Sequence, residues 1–215
     1  NMKGGNDYVE IDDIFVVGDV RINMAAGDDT VGVIDTIIGD DLMITTGAGA
    51  DVVGIVDVGV ADMLRVVTGS GGDAIGMQTC VTVLGRTTIV TGSGVDGVHL
   101  AGNLNDRVTV NMGSSDDILA VAATSPGNLT RLILGGGDDQ VFVHSTTSMP
   151  GSPRVAGGGG TDSVAVNFGS VFVANTPGVE ASIIGSGVDA QIDAARVAFL
   201  VLYTVRGGDA GDLVC

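Results

Sequence analysis

The sequence predicts an all-β fold, a right-handed parallel β-helix (β-solenoid) of roughly nine coils with about 22 residues each. Three observations predict it. Aspartate recurs at Asp7, Asp29, Asp51, Asp73, Asp96, Asp117, Asp139, Asp162 and Asp189, at intervals of 22, 22, 22, 23, 21, 22, 23 and 27. The first eight of these open the pattern Asp-x-apolar-x-apolar. The composition has 36 Gly, 4 Pro, no Trp and 3% aromatic residues, yet 45% hydrophobic residues, so Val, Ile and Leu must supply the core.

The apolar pairs are Val9/Ile11, Val31/Val33, Val53/Ile55, Ile75/Met77, Val98/Leu100, Leu119/Val121, Val141/Val143 and Val164/Val166. Alternation with period two places both members of a pair on one face of a strand. β-branched residues suit such strands, and glycine at this density interrupts helices. Strands stacked one per coil at 4.7–4.9 Å would make a rod of roughly 45 Å over about nine coils. No coil can bury its own face alone, so stability comes from stacking and the end coils need cover.

The corner before each Asp repeats as well. It reads Thr46-Gly47-Ala48-Gly49-Ala50-Asp51, Thr68-Gly69-Ser70-Gly71-Gly72-Asp73 and Thr91-Gly92-Ser93-Gly94-Val95-Asp96 in three successive coils. Later it reads Gly135-Gly136-Gly137-Asp138-Asp139 and Gly157-Gly158-Gly159-Gly160-Thr161-Asp162. A weaker register half a coil on is opened by Asp19, Asp41, Asp62 and Asp106. The span 1–215 therefore reads as a single solenoid domain, expected to be a piece of a longer polypeptide. Residues 144–155, with Pro150 and Pro153, are expected to bulge as a loop, a second insertion is expected near 175–178, and Val197–Val205 as a final strand or cap.

A net charge of −17 leaves no basic face for nucleic acid, and no uninterrupted apolar stretch is long enough for a membrane span. The acids are biased: Glu10 and Glu180 are the only glutamates among 26 acidic residues. Aspartate bonds its own backbone in turns and reaches a nearby hard cation at little entropic cost. Cys80 and Cys215 lack metal-ligand spacing, and one pair does not establish a disulfide.

The corner resembles the hemolysin-type (RTX) calcium-binding repeat, Gly-Gly-x-Gly-x-Asp-x-apolar-x, which residues 157–165 match at every defined position. The resemblance implies calcium held between successive turns by Asp carboxylates and backbone carbonyls. The matching residues are Asp29, Gly49, Asp51, Gly71, Asp73, Gly94, Asp96, Asp117, Gly137, Asp139, Gly160 and Asp162. It also implies a secreted or cell-surface bacterial protein. That family has such turns on both sides of a shorter coil; here the second series fades, so facing turns are not assured for the six or more oxygens calcium takes. Aspartates stacked one coil apart would repel by ~1 kcal/mol per pair in water and ~3–4 at an effective dielectric near 20. Calcium would relieve this; so would carboxylates accepting backbone N–H bonds while glycines take left-handed conformations.

Arg65, Arg86, Arg107, Arg131 and Arg154 recur at intervals of 21, 21, 24 and 23. They make either an anion stripe suited to acidic sugars or a set of cations offsetting nearby Asp. No catalytic constellation is evident, and the chain is not expected to be an enzyme. His99 and His144 have no motif and are expected to be solvated, no Lys follows the glycine runs as in a phosphate loop, and the Asp28/Asp29, Asp116/Asp117 and Asp138/Asp139 pairs should point to opposite faces. Thr45/Thr46, Thr87/Thr88 and Thr146/Thr147 hold no register for an ice-binding face. The expected function is a secreted or cell-surface structural or adhesive module ordered by calcium, partnered by cell-surface polysaccharide or by other domains of its own chain. The alternative is a carbohydrate-active β-helix that binds or cleaves polysaccharide.

Overall fold

Period-two apolar patterning repeated every 22 residues can bury its apolar face only by stacking like on like. The computed structural model, which describes residues 2–78, 80–122, 130–143, 154–166 and 181–184, has that arrangement. It is a parallel β-solenoid with no helix among the described residues. The first coil consists of β1 (Tyr8–Asp12), β2 (Phe15–Val16) and β3 (Val20–Ala26). The second repeats it as Thr30–Ile34, Ile37–Ile38 and Leu42–Ala48, and each strand pairs in parallel with its counterpart. Among the described residues three sheets result: nine strands in sheet A, which begins with β1; five in sheet B, with β2; and seven in sheet C, with β3.

Register is strict. The predicted apolar pairs form two columns of sheet A, in which Val9, Val31, Val53, Ile75, Val98, Leu119, Val141 and Val164 stand over one another. Sheet B adds the column Val16, Ile38, Val60, Val83 and Leu104. Sheet C adds Val20, Leu42, Leu64, Thr87, Val108 and Thr130. Together they fill one continuous core, with Leu42, Val53, Leu64, Leu100 and Leu119 wholly buried. The corner threonines fit the same logic. Thr46, Thr68 and Thr91 take the last inward position of their sheet C strands, where Met24, Met112 and Leu134 serve other coils, and each is buried.

The weaker half-coil register splits in two. Asp19 and Asp41 stand immediately before a sheet C strand, whereas Asp62 and Asp106 stand one residue earlier, in line with Asp40. Of the expected 144–155 loop, residues 144–153 lie outside the described residues, while Arg154 and Val155 open the sheet C strand Arg154–Gly159. The insertion near 175–178, Asp189 and the segment Val197–Val205 also lie outside them.

Candidate functional site

The corner between sheets C and A is built by glycine and completed by aspartate. At Gly69 φ is +109°, and a Cβ there would lie 1.9 Å from the carbonyl oxygen of Gly47 in the coil before. Gly71, two residues on, has φ +129° and would place a Cβ 1.9 Å from Gly49 O. Both positions therefore form columns in which the backbone of one coil rests on that of the next. Ser115 is the exception inside the second column, with φ +96°.

The geometry turns the chain so that the next aspartate points inward. Asp29, Asp51, Asp73, Asp96, Asp117, Asp139 and Asp162 are all buried. Each places Oδ1 on the backbone N–H of its counterpart one coil earlier: Asp7 N–H donates to Asp29, Asp29 to Asp51, Asp51 to Asp73, Asp73 to Asp96, Asp96 to Asp117, Asp117 to Asp139 and Asp139 to Asp162, over 2.8–3.1 Å. Thr46 and Thr68 hydroxyls run beside this ladder, donating to the carbonyls of Thr68 and Thr91 at 3.2 and 3.1 Å.

A second ladder runs outside with the opposite polarity. Asn6 accepts from Asp28 N–H and Asp28 from Ala50 N–H, both at 2.9 Å; Asp116 accepts from Asp138 N–H and Asp138 from Thr161 N–H. It is interrupted where Ala50, Gly72 and Val95 replace the acid. Thus the adjacent pairs Asp28/Asp29, Asp116/Asp117 and Asp138/Asp139 do face opposite ways, one exposed and one buried.

Asp73, Asp96, Asp117 and Asp139 resist ionisation. Burial pushes Asp117 up to about 7, with the charges of Asp96, Asp139 and Asp116 adding to it against the Asp96 N–H bond. Burial likewise raises Asp73 to about 6, opposed by Thr68 and its backbone bond and assisted by Asp96 and Asp51. Asp96 and Asp139 are raised for the same first reason. The Oδ2 atoms of Asp29, Asp51, Asp73, Asp96, Asp117 and Asp139 are buried without a hydrogen-bond donor.

The fit to calcium can be judged from this geometry. Asp29, Asp51, Asp73, Asp96, Asp117 and Asp139 each offer one uncommitted carboxylate oxygen, because the other holds a backbone N–H. The carboxylates stand in single file, so only neighbours above and below approach any point, whereas calcium takes six to eight oxygens. The predicted glycines Gly49, Gly71, Gly94, Gly137 and Gly160 all have positive φ and belong to the stacked column. Asp19, Asp40 and Asp41, at the exposed B–C corner, are the described residues whose ligand atoms come within 4.8 Å of one another. Desolvation and the charges of Asp19, Asp41 and Asp62 raise Asp40.

Family models, curated proteins and solved structures yield no match to this chain.

The arginines do not make one column. Arg86 and Arg107 stand just before their sheet C strands; Arg65, Arg131 and Arg154 stand two residues further along, in line with Arg21. Arg65, Arg86, Arg107 and Arg131 are exposed on the outward side of sheet C. Among the described residues the ion pair is Arg21 with Asp19 at 2.7 Å, not Asp106 with Arg107. Arg86 and Arg107 line a shallow groove with Asp41, Asp62, Met63 and Asp106.

Sequence reasoning missed three features. Asp13, Asp35 and Asp57 take φ of 49°, 44° and 54° at the A–B corner, and their 22-residue spacing was legible. The Asn6/Asp28 ladder was hidden because Ala50, Gly72 and Val95 interrupt its run of Asn and Asp. The expectation that His99 is solvated is overturned. His99 is 7% exposed, on an outward row of sheet A with Ala120, Phe142 and Ala165, all buried. Cys80 is disulfide-bonded; Cys215 lies outside the described residues.

Proposed function

We propose that the chain is a secreted or cell-surface structural module, a rigid solenoid spacer that presents neighbouring domains or adheres to cell-surface polysaccharide. The observation that carries this reading is the buried aspartate ladder. Its repeated carboxylates are committed to coil-to-coil bonding, which is what a load-bearing rod needs. The disulfide at Cys80 suits an oxidising compartment.

Calcium at the corners is the finer part of the proposal, and the buried Oδ2 atoms favour it. One would expect a bound ion to draw on these atoms and on glycine carbonyls. Calorimetric titration of calcium into chelator-treated protein, with circular dichroism before and after chelation, checks it. Heat with a loss of β signal on chelation supports calcium. No heat and an unchanged spectrum would leave the corner as a hydrogen-bonding device alone.

A second reading, a carbohydrate-active solenoid, is favoured by the groove that holds Arg86 and Arg107, neither in an ion pair among the described residues. The structural reading predicts no turnover of uronic-acid polymers. Turnover that disappears in Arg86→Ala/Arg107→Ala would overturn it.

A further inference from the structure

The outward face of sheet B carries apolar side chains between two acidic corners. Phe15, Ile37, Gly59, Thr82 and Asn103 form one outward row. Val17, Gly39, Ala61 and Leu84 form the next, because the N–H groups of the last three donate to Val16, Ile38 and Val60 carbonyls. Phe15, Val17 and Ile37 are 68, 79 and 58% exposed. Ile37 and the equally exposed Leu84 lie in coils with neighbours on both sides, so the exposure belongs to the face and not to an end of the stack. Contiguous apolar exposure of this kind marks an interaction surface.

Carboxylates flank the face in the first three coils. Asp13 and Asp35 are exposed at the A–B corner, and Asp19, Asp40 and Asp62 at the B–C corner. Asp19, Asp40 and Asp41 crowd within 4.8 Å of one another. Further along, Arg86 and Arg107 join the B–C corner, so the acidic match is confined to these coils. Asp13 and Asp19 bound the face of the first coil, at most about 20 Å apart along extended chain. A helix with its side chains is about 10–12 Å across and fits between them. The strands' backbone is paired coil to coil, so an occupant of this face meets side chains alone and strand addition is excluded. Charge argues against an anionic lipid surface, and a net charge of −17 against a second copy. We propose that this face docks a cationic amphipathic helix of another protein. Its apolar stripe would lie on Phe15, Val17 and Ile37, and its Lys and Arg side chains would reach the carboxylates on either side. The proposal rests on neither calcium nor sugar binding.

The probe is a Leu/Lys peptide of about 18 residues with leucine at i, i+3, i+4 and i+7, titrated into the full chain. Its control has the same composition with the leucines scattered around the helix. The amphipathic peptide is expected to bind about tenfold or more tighter than the control, with a gain of helical circular dichroism. Ile37→Ser is expected to weaken that binding by about tenfold. Asp13→Asn/Asp40→Asn should weaken it by about as much at low salt, and less at high salt. Asp116→Asn/Asp138→Asn removes the same charge at the C–A corner and should leave it unchanged. All these side chains are exposed, so the variants should keep the parent's β signal. Equal affinity for both peptides would overturn the proposal. Equal weakening by the two charge pairs would do so as well, since it reduces the effect to net charge. So would a dimer in light scattering, or binding to phosphatidylcholine vesicles, that Ile37→Ser abolishes; either outcome gives the face to a second copy or to lipid.

Discussion

Gly69→Ala is expected to destabilise the solenoid by about 3 kcal/mol or more, or to prevent folding. Two costs coincide there: an L residue at φ +109°, and a Cβ 1.9 Å from the Gly47 carbonyl oxygen. That oxygen belongs to backbone fixed by its own coil, so relief requires two coils to separate. The converse substitution, Ser115→Gly, is expected to raise stability by about 1 kcal/mol, because φ +96° strains serine and not glycine. Chemical denaturation of both variants beside the parent protein measures the contrast. If Gly69→Ala unfolds at the parent's midpoint, the corner is not the rigid element described.

Acid is expected to stabilise this protein where it weakens most others. Asp73 and Asp117 titrate at about 6 and 7 in the folded chain, against ~3.9 for an unfolded aspartate. Between those values the native state holds more protons than the unfolded one. Stability is therefore complete below about pH 4, falls as pH rises through the folded values, and levels off above them. Melting temperatures at about pH 5 should exceed those at about pH 8. Asp117→Asn keeps an acceptor for the Asp96 N–H and removes the charge, so it should flatten the profile and hold or raise stability on the alkaline side. Asp117→Ala leaves that buried N–H without a partner, at a cost of about 1–3 kcal/mol throughout. A flat profile in the parent, or equal losses in both variants at alkaline pH, would refute this account.

The coil was legible because two local signals, apolar alternation and the glycine-aspartate corner, keep the same 22-residue period. Val31 and Val33 could be placed on one face without knowing what lay above them. The direction of the aspartate side chains was legible too, since Asp28 and Asp29 must diverge. What Asp29 does there was not, because its partner is the N–H of Asp7, a whole coil away, and no spacing rule tells an N–H acceptor from a cation ligand. The arginine stripe misled for a related reason. Intervals of 21 and 24 look like one loose column, but a shift of two residues keeps the outward face while changing the row. His99 was misread because an outward position is not always an exposed one.

The two corner ladders run in opposite senses, and this bears on how the chain is made. A coil leaving the ribosome can place its outer N–H on the carboxylate already there, as Ala50 does on Asp28, but the N–H of its buried aspartate waits for the carboxylate of the coil that follows. Each new coil therefore satisfies its predecessor as it arrives, and only the newest is incomplete. Assembly becomes a directional zipper running from the amino end, with one unfinished tooth at a time.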